Sequence, residues 1–412
     1  MLTSKACSKL ITSAALSAAL ILAVASVEAQ TETILHSFAN NNGKDGTNPC
    51  AALVFDSAGN LYGTTTAGGV KGDGTAFELM PKAGGGWTEV GLHTFGNGSD
   101  GLYPYGNLIF DASGNLYGTT DQGGVYGLGT VFELSPKIGG GWTEKVLHSF
   151  GLDNDGWYPN GGLIFDSTGN LYGTAESGGT DKAGMVFKLS PAAGGRWTET
   201  ALHNFGRGKD GAEPVGNLIF DGSGNLYGAA YFGGDEGKGM IFELSPKADG
   251  GWAESELHSF TGQPTDGYLP TGSLIFDSAG NLYGLTYKGG PDDLGTVFEL
   301  TKGAGGIWTS SILHGFENNG VDGNYPEGNL IMDSSGNLYG TASAGGSNND
   351  GVVYEMSPEG GQSWLEDRLF SFNGTDGQVP CSGLIFDSSG NLYGTTLLGG
   401  AQNGGTVFEL TP

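Results

Sequence analysis

The chain has 412 residues, of which 80 are glycine and only 15% are charged. Acidic residues outnumber basic ones by 44 to 17, which gives a formal net charge of −27. This charge would repel nucleic-acid phosphates and therefore excludes a nucleic-acid partner. The hydrophobic share of 37% and the aromatic share of 11% are too high for a disordered chain. We expect a folded, acidic, glycine-rich protein.

The first residues have the pattern of a secretory signal peptide. A basic start and an apolar stretch from Leu10 to Val27 precede small residues that favour cleavage before Gln30. No later apolar run is long enough to span a bilayer. We therefore expect a signal peptide over residues 1–29 and a mature domain over 30–412. The mature chain is expected to be a monomer in the periplasm or outside the cell.

One motif, Gly-Asn-Leu-Tyr-Gly, recurs seven times at steps of 54–56 residues. Its asparagines are Asn60, Asn115, Asn170, Asn225, Asn281, Asn337 and Asn391. Seven such periods fill the mature chain and leave no room for another domain. A fixed period of this length is typical of a solenoid or a propeller.

Each period reads as four short strands. In the third copy, in chain order, these are strand A over Gly162–Asp166, strand B over Asn170–Thr174, strand C over Val186–Leu189 and strand D over Trp197–Phe205. Turn residues separate them, and the apolar runs show no polar alternation, so both faces of the sheet should be covered. Blades packed around an axis provide that cover. The sequence predicts an all-β, seven-bladed β-propeller with four-stranded blades.

The phase of the repeat predicts how the ring closes. The mature chain opens with Thr31–Phe38, which matches a strand D without its blade. It ends with Thr406–Leu410, which matches a strand C without its strand D. The N-terminal strand is expected to complete the last blade and so pair two open edges.

The repeat, as in Leu384–Leu410 (LIFDSSGNLYGTTLLGGAQNGGTVFEL), resembles the GloVer (Gloeobacter/Verrucomicrobia-type) repeat of bacterial secreted tandem-repeat proteins. The resemblance covers essentially the whole mature chain. It implies a propeller and a secreted bacterial protein, and it implies no established activity. A weaker similarity to kelch repeats supports the same fold and transfers no site.

We call the equivalent positions of the seven repeats a column, and two such columns carry titratable groups. An aspartate lies four residues before each motif asparagine, and this ring of seven carboxylates raises the possibility of calcium. Because a repeat supplies no second ligand, we expect these aspartates to cap turns. The histidines share one position of strand D, at the outer rim, where the seventh copy has Phe370, so packing is expected there. These are His36, His93, His148, His203, His258 and His314. We expect no metal and no cofactor.

Up-and-down strands put the B–C and D–A loops on one face, and on this face the repeats differ. Aromatic residues are concentrated there, together with carboxylates, a combination that suits the apolar faces and hydroxyls of a sugar. The alternative is that these rings pack over neighbouring blades. The candidate ligand-binding residues are Trp157, Tyr158, Tyr103, Tyr105, Tyr231, Tyr268, Tyr287 and Tyr325. Trp157 and Tyr158 are the first choices.

The sequence favours a binder over an enzyme. The three arginines, Arg196, Arg207 and Arg368, fall in different parts of their repeats and should not converge as in a sialidase. The nucleophile elbow and the His-Glu-x-x-His zinc motif are also absent from the sequence. We expect a secreted, non-catalytic binding or scaffold propeller for a glycan or another surface polymer. The alternatives are an extracellular carbohydrate-active enzyme based on carboxylates, and a purely structural surface protein.

Cys50 and Cys381 are the only cysteines of the mature chain, and they occupy the same column of the repeat. The residue after each is Ala51 or Ser382, whereas the other five copies have glycine there. The first and seventh repeats become neighbours only when the ring closes. The sequence therefore predicts a disulfide between them, with two free thiols as the alternative.

Overall fold

The computed structural model describes residues 30–39, 43, 45–151, 153–206, 208–360 and 363–411. Seven four-stranded antiparallel sheets follow one another along the chain and form a ring of seven blades. The predicted seven-bladed β-propeller is confirmed. The predicted signal peptide, residues 1–29, lies outside the described residues.

The strands are named A to D from the axis outward, and the blades are numbered 1 to 7 in chain order. Strands A are Val54–Phe55, Ile109–Phe110, Ile164–Phe165, Ala212–Phe220, Gly267–Phe276, Gly323–Met332 and Ile385–Phe386. Strands B are Leu61–Thr65, Leu116–Thr120, Leu171–Ala175, Leu226–Phe232, Leu282–Gly289, Leu338–Gly345 and Leu392–Thr396. Strands C are Thr75–Pro81, Thr130–Pro136, Met185–Ala192, Met240–Pro246, Thr296–Lys302, Val352–Gly360 and Thr406–Thr411. Strands D are Trp87–Thr94, Trp142–Ser149, Arg196–Asn204, Trp252–Ser259, Trp308–Gly315, Ser363–Ser371 and, for blade 7, Thr31–Ser37.

Short ribbons join the D–A and B–C loops on one face. In blades 1 to 3 they are separate two-stranded pairs, whereas in blades 4 to 6 the same residues extend strands A and B. The pairs are Gly46–Thr47 with Ala67–Gly68, Gly101–Leu102 with Gln122–Gly123, and Gly156–Trp157 with Ser177–Gly178. The sequence analysis did not predict these ribbons. They establish that the two variable loops of each repeat share a face.

In the third repeat, the observed bounds of strands A and C differ from the predicted ones. Strand C starts one residue earlier and ends three residues later than predicted, because it pairs with strand D along its full length. Strand A is shorter than predicted and pairs with strand B only through Ile164 and Phe165. The described part of the chain has just two short 3₁₀ helices, Gly208–Asp210 and Ala304–Gly306. Neither is long and apolar enough to cross a membrane.

The N-terminal strand closes the ring as predicted. Thr31–Ser37 pairs antiparallel with Thr406–Thr411, from Thr31 opposite Thr411 to Ser37 opposite Thr406, with a bulge near Leu35. Leu35 and Phe38 then pack with Phe77 of blade 1 in one buried cluster. The last blade is therefore built from both ends of the described chain, and its strand C has a partner strand on each side.

The hydrophobic core lies between blades. Tyr62 of blade 1 meets Phe110 of blade 2 edge to face at 5.1 Å, and the same contact recurs around most of the ring. Near the axis, strands A of neighbouring blades approach so closely that five of the seven repeats have glycine at the contact. A methyl group added to Gly272, whose φ is 63°, would collide with the carbonyl of Gly328 in the next blade. This crowding explains part of the high glycine content.

Candidate functional site

The axis of the ring opens on the variable loop face as a cavity of about 480 Å³, which we call the axial mouth. Each repeat contributes to its wall the residue that follows one proline, which lies before strand A in four blades and within its first half in blades 4 to 6. These residues are Cys50, Tyr105, Asn160, Val215, Thr271, Glu327 and Cys381. Tyr231 and Tyr287, from strand B of blades 4 and 5, complete the wall. Seven positions that are equivalent in the repeat thus meet at one site.

A backbone latch fixes this column of residues. The residue before each proline has a left-handed backbone, with φ between 56° and 61°. Its N–H donates a hydrogen bond of 2.7–3.0 Å to a carbonyl in the B–C loop of the preceding blade. The latch residues are Asn48, Tyr103, Tyr158, Glu213, Leu269, Tyr325 and Val379. This conformation costs roughly 1 kcal/mol or more for a residue with a side chain. The hydrogen bond offsets that cost and fixes the backbone two residues before each wall residue.

Polar groups of blades 4 to 6 converge in the mouth. Burial raises the pKa of Glu327, although Ser343 donates a hydrogen bond of 3.4 Å to its Oε1. Burial, together with the neighbouring Tyr287 and Glu327, also raises the pKa of Tyr231. Tyrosine hydroxyls beside an acid that resists ionisation suit uncharged hydroxyl groups better than anions.

The opposite side of the mouth is also acidic. Burial raises the pKa of Asp121 and of Glu176. Asn160 Nδ2 donates a hydrogen bond of 2.7 Å to Glu176 Oε2 and is thereby held in place. Tyr105 is 43% exposed, and its pKa is raised by burial and by Asp121. The mouth therefore has an acidic surround, which disfavours anionic ligands.

Several of the predicted aromatic residues form an arc beside the mouth. Tyr287 and Tyr325 stack with ring centroids 5.0 Å apart, and Lys288 Nζ lies 4.4 Å from the Tyr325 ring. Tyr268 lies under Lys238 Nζ at 4.5 Å. Burial and a hydrogen bond to Asp293 raise the pKa of Tyr268 to about 12.

The two first-choice residues occupy a different place. The Trp157 indole Nε1 donates a hydrogen bond of 2.8 Å to the Gly151 carbonyl, and Lys182 Nζ covers the ring at 4.6 Å. Tyr158, like Tyr103, is a latch residue. None of these three lines the axial mouth. The structure thus brings together Tyr105, Tyr231 and Tyr287, with Tyr325 stacked behind, and leaves Trp157 outside.

Sequence reasoning did not single out four of the mouth residues as a lining, namely Asn160, Val215, Thr271 and Glu327. Their column was recognised only as the position that holds the cysteines. The sequence placed this column next to the predicted strand A, which is the innermost strand of each blade. Because strands A surround the axis, residues beside them in all seven repeats are expected to meet there.

The predicted disulfide is present. Cys50 and Cys381 are bonded, with their Cα atoms 5.5 Å apart, and both belong to the wall of the axial mouth. The bond joins blades 1 and 7 across the seam of the ring. The strands at this seam carry Ala51 and Ser382 where other repeats have glycine.

The ring of repeated aspartates caps turns. In the first repeat, Asp56 accepts hydrogen bonds from the backbone of Ala58 and Asn60, from the Asn60 side chain and from the Tyr62 hydroxyl. Burial alone would raise the pKa of Asp56, but these hydrogen bonds outweigh it and lower the pKa. Both carboxylate oxygens are thus occupied by donors of the chain, which is the turn-capping role that the sequence predicted.

The repeat decides the family. The model of the Gloeobacter/Verrucomicrobia repeat matches residues 21–219 and 195–408. The chain belongs to the Gloeobacter/Verrucomicrobia repeat family. No curated protein matches the chain in sequence. The latches and turn caps described above are therefore features of a member of this repeat family.

Solved structures share the fold of this family member at low sequence identity. The extracellular domain assigned to a one-component system of B. thetaiotaomicron superposes with a TM-score of 0.54 at 13% identity. The match covers 93% of this chain and 42% of that protein. A protein assigned as a 6-phosphogluconolactonase from Bacteroides uniformis gives a TM-score of 0.53 at 14% identity, over 81% of this chain and 88% of that one. Both similarities concern the fold alone.

A second group of polar residues lies between neighbouring blades, and sequence reasoning missed it. Each histidine of the repeat column lies within 2.8–3.3 Å of an aspartate in the following D–A loop. These aspartates run from Asp45 to Asp322, and the sequence analysis assigned them no partner. The signal was that an aspartate follows every one of these histidines at a distance of seven to nine residues in the sequence. Each histidine of this column therefore contacts an aspartate as well as the phenylalanine ring two residues later.

A glutamate from strand D of the next blade completes most of these junctions. Burial and the facing aspartate raise the pKa of Glu144, Glu199, Glu254 and Glu366 to about 7. Their Oε1 atoms are buried and have no hydrogen-bond partner among the described residues. Two junctions differ, because Ser310 replaces the glutamate in one and Phe370 replaces the histidine in another.

Proposed function

We propose that this chain is a secreted, non-catalytic binding propeller that holds a carbohydrate, or a similar hydroxyl-rich surface polymer, at the axial mouth. One observation carries the proposal. The seven equivalent wall positions hold six different residue types, and two tyrosines of strand B join them. If these positions only supported the fold, one residue type could recur at all seven, as the same aspartate recurs in the turn caps.

The chemistry of the wall supports a neutral polar ligand. Tyr105, Tyr231 and Tyr287 offer aromatic faces for the C–H faces of a sugar ring. Asn160, Thr271 and the tyrosine hydroxyls offer hydrogen-bond donors and acceptors. The volume of about 480 Å³ lies within the usual range of small-ligand sites, roughly 300–1,000 Å³.

Secretion is part of this proposal. A disulfide that links the first and last blades is a feature of proteins in oxidising compartments. The pattern of residues 1–29 supports export. A structural neighbour is described as an extracellular domain, which is in line with that location.

A carboxylate-based hydrolase or lyase is the second candidate, and Glu327 favours it. Burial raises the pKa of Glu327, as in a general acid. A glycosidase needs a second carboxylate about 5–9.5 Å away. Glu327 is the only acid among the wall residues of the mouth. Asp121 and Glu176 belong to the opposite side, and Glu176 already accepts a hydrogen bond from Asn160. Binding is the first proposal, because no second described acid lines the cavity itself.

The test begins with a glycan array on the mature protein, with and without calcium. Affinity for the best glycan is then measured by calorimetry for Tyr231→Ala and Tyr287→Ala. Loss of a stacking ring should weaken binding by about 1 kcal/mol or more, or at least fivefold. Tyr126→Ala is the matched control, because Tyr126 is 55% exposed on the same face and does not line the mouth.

The variants also separate the alternatives. Unchanged affinity in both mouth variants would overturn the axial site, and weakening by Trp157→Ala instead would move it to the loops of blade 3. Incubation of the best glycan with wild type and Glu327→Gln tests the second candidate. Cleavage products that disappear in Glu327→Gln would replace the binder with an enzyme.

A further inference from the structure

One blade junction differs from the others in how closely its histidine, aspartate and glutamate approach one another. Between blades 5 and 6, one ligand atom each of His314, Asp322 and Glu366 lies within 4.8 Å of the other two. Among the described residues, this is the only group of three or more such side chains that meets this separation. His314 Nε2 and Asp322 Oδ2 are 3.0 Å apart, and Asp322 is only 4% exposed. The three side chains come from strand D of blade 5, the following loop and strand D of blade 6.

A buried tyrosine marks the same junction. Strand C of blade 6 carries Tyr354 in the column where the other six repeats have phenylalanine. Tyr354 is fully buried, and its hydroxyl has no hydrogen-bond partner among the described residues. It packs edge to face on Phe316, two residues after His314, at 5.3 Å. The charges of Glu366 and Asp322 are close enough to add to the effect of burial in raising its pKa.

Among the described residues, one carboxylate oxygen of this junction has no donor, and the positive charge nearby is limited to Arg368 and to His314 when it is protonated. Glu366 Oε1 is buried without a hydrogen-bond partner in the described chain. Arg368, the nearest basic side chain on the same strand, directs its Nη1 to the Val321 carbonyl at 3.1 Å and to Ser347. Asp322 already accepts hydrogen bonds from the backbone of Glu317 and Gly323. Two carboxylates and an imidazole therefore face one another, and one buried carboxylate oxygen among them lacks a donor in the part of the chain that the structure describes.

We propose that His314, Asp322 and Glu366 form a zinc site that clamps blade 5 to blade 6. An imidazole nitrogen with carboxylate oxygens is a donor set that zinc accepts, at distances of about 2.0–2.2 Å. Such distances require the longest separation in the cluster to shorten by roughly 1 Å or more. The Tyr354 hydroxyl lies against Gly340 of strand B, so it is not assigned a role as a ligand or as a partner of one. The proposal is independent of the ligand at the axial mouth.

The repeats themselves supply variants that the fold tolerates. His314→Phe copies Phe370, Glu366→Ser copies Ser310, and Tyr354→Phe copies the other six repeats. His203→Phe is the matched control, because its junction has the same three residue types but carries Phe242 in place of the tyrosine. Each variant therefore replaces one residue with its counterpart in another blade.

The experiment is a titration of the EDTA-stripped mature protein with zinc chloride by calorimetry at pH 7, with native mass spectrometry for stoichiometry. We expect one zinc ion per chain, loss of binding in His314→Phe and Glu366→Ser, and unchanged binding in Tyr354→Phe. Binding in His203→Phe should be unchanged. Circular dichroism and melting of the metal-free variants establish that each is folded.

Three results would overturn the proposal. The first is no zinc uptake by the wild type. The second is equal affinity in the wild type and in folded His314→Phe. The third is an equal loss in His203→Phe, which would show that the ion binds elsewhere. As a positive check, cobalt should give a visible absorption band in the wild type that is absent from His314→Phe.

Discussion

The disulfide across the seam gives a stability prediction that the structure makes quantitative. The perturbation is the double variant Cys50→Ser/Cys381→Ser, which avoids an unpaired thiol. The bond closes a loop with a sequence separation of 331 residues. Loop-closure entropy for that length corresponds to about 6 kcal/mol at 25 °C as an upper figure. Measured effects fall below such figures, so we expect the free energy of unfolding to drop by about 2–5 kcal/mol.

Guanidinium chloride denaturation, followed by tryptophan fluorescence, measures this drop. Six of the seven tryptophans lie in the repeated column of strand D, so the signal reports on most blades. The slope of free energy against denaturant should rise in the variant, because an uncrosslinked denatured chain exposes more surface. Wild type with dithiothreitol should behave like the variant.

Two outcomes would refute this reasoning. One is a free energy of unfolding within about 0.5 kcal/mol of the wild type. The other is an equal effect of dithiothreitol on the wild type and on the double variant. Either would mean that the bond does not constrain the unfolded chain.

Three further predictions concern the frame of the ring. Burial, with a neighbouring aspartate, raises the pKa of Glu32 from 4.5 to about 7, so its contribution to stability is lost as the pH rises between these values. Glu32→Gln should therefore match the wild type at pH 4.5 and exceed it by about 1–2 kcal/mol at pH 8, in chemical denaturation at both pH values. Deletion of Gln30–Phe38 should expose the edge of the last strand C and cause aggregation; a monomer with an unchanged melting temperature would contradict this. Gly272→Ala should destabilise the ring by roughly 3 kcal/mol or more, because its methyl would collide with Gly328. Gly59→Ala, with a similar positive φ but open space, separates backbone strain from this collision in the same melting assay.

The parts of the fold that the sequence predicted are those governed by contacts within one repeat. Asp56, Asn60 and Tyr62 lie within seven residues and bond to one another, so spacing alone indicated the turn. The count of repeats and their phase indicated the ring closure. Cys50 and Cys381 differ from the other residues of their column, and they lie in the first and the last repeat. This indicated the seam, because these two repeats become neighbours only when the ring closes.

The candidate site depends on contacts between repeats, and these were harder to predict. The latch at Tyr158 needs the carbonyl of Leu128, thirty residues earlier in another blade. Glu366 meets Asp322 across a blade junction that the repeat pattern does not describe. Trp157 was chosen because it was the one tryptophan outside its column. Its indole is instead bound to Gly151 of the same loop. Local pattern shows which residues vary, whereas the angle between blades decides which of them meet.

Comparison of the seven repeats within one chain separates frame from function in physical terms. The frame positions repeat because each has the same partner in every blade, as the aspartate, asparagine and tyrosine of the turn do. The wall positions of the axial mouth have equivalent backbone latches, yet their side chains range from Val215 to Glu327. The latch fixes the backbone and leaves the side chain unspecified. A ring of seven identical residues would present a symmetric surface, which cannot orient an asymmetric molecule. Six residue types at seven latched positions can, and this is why the mouth is the place to look for the ligand.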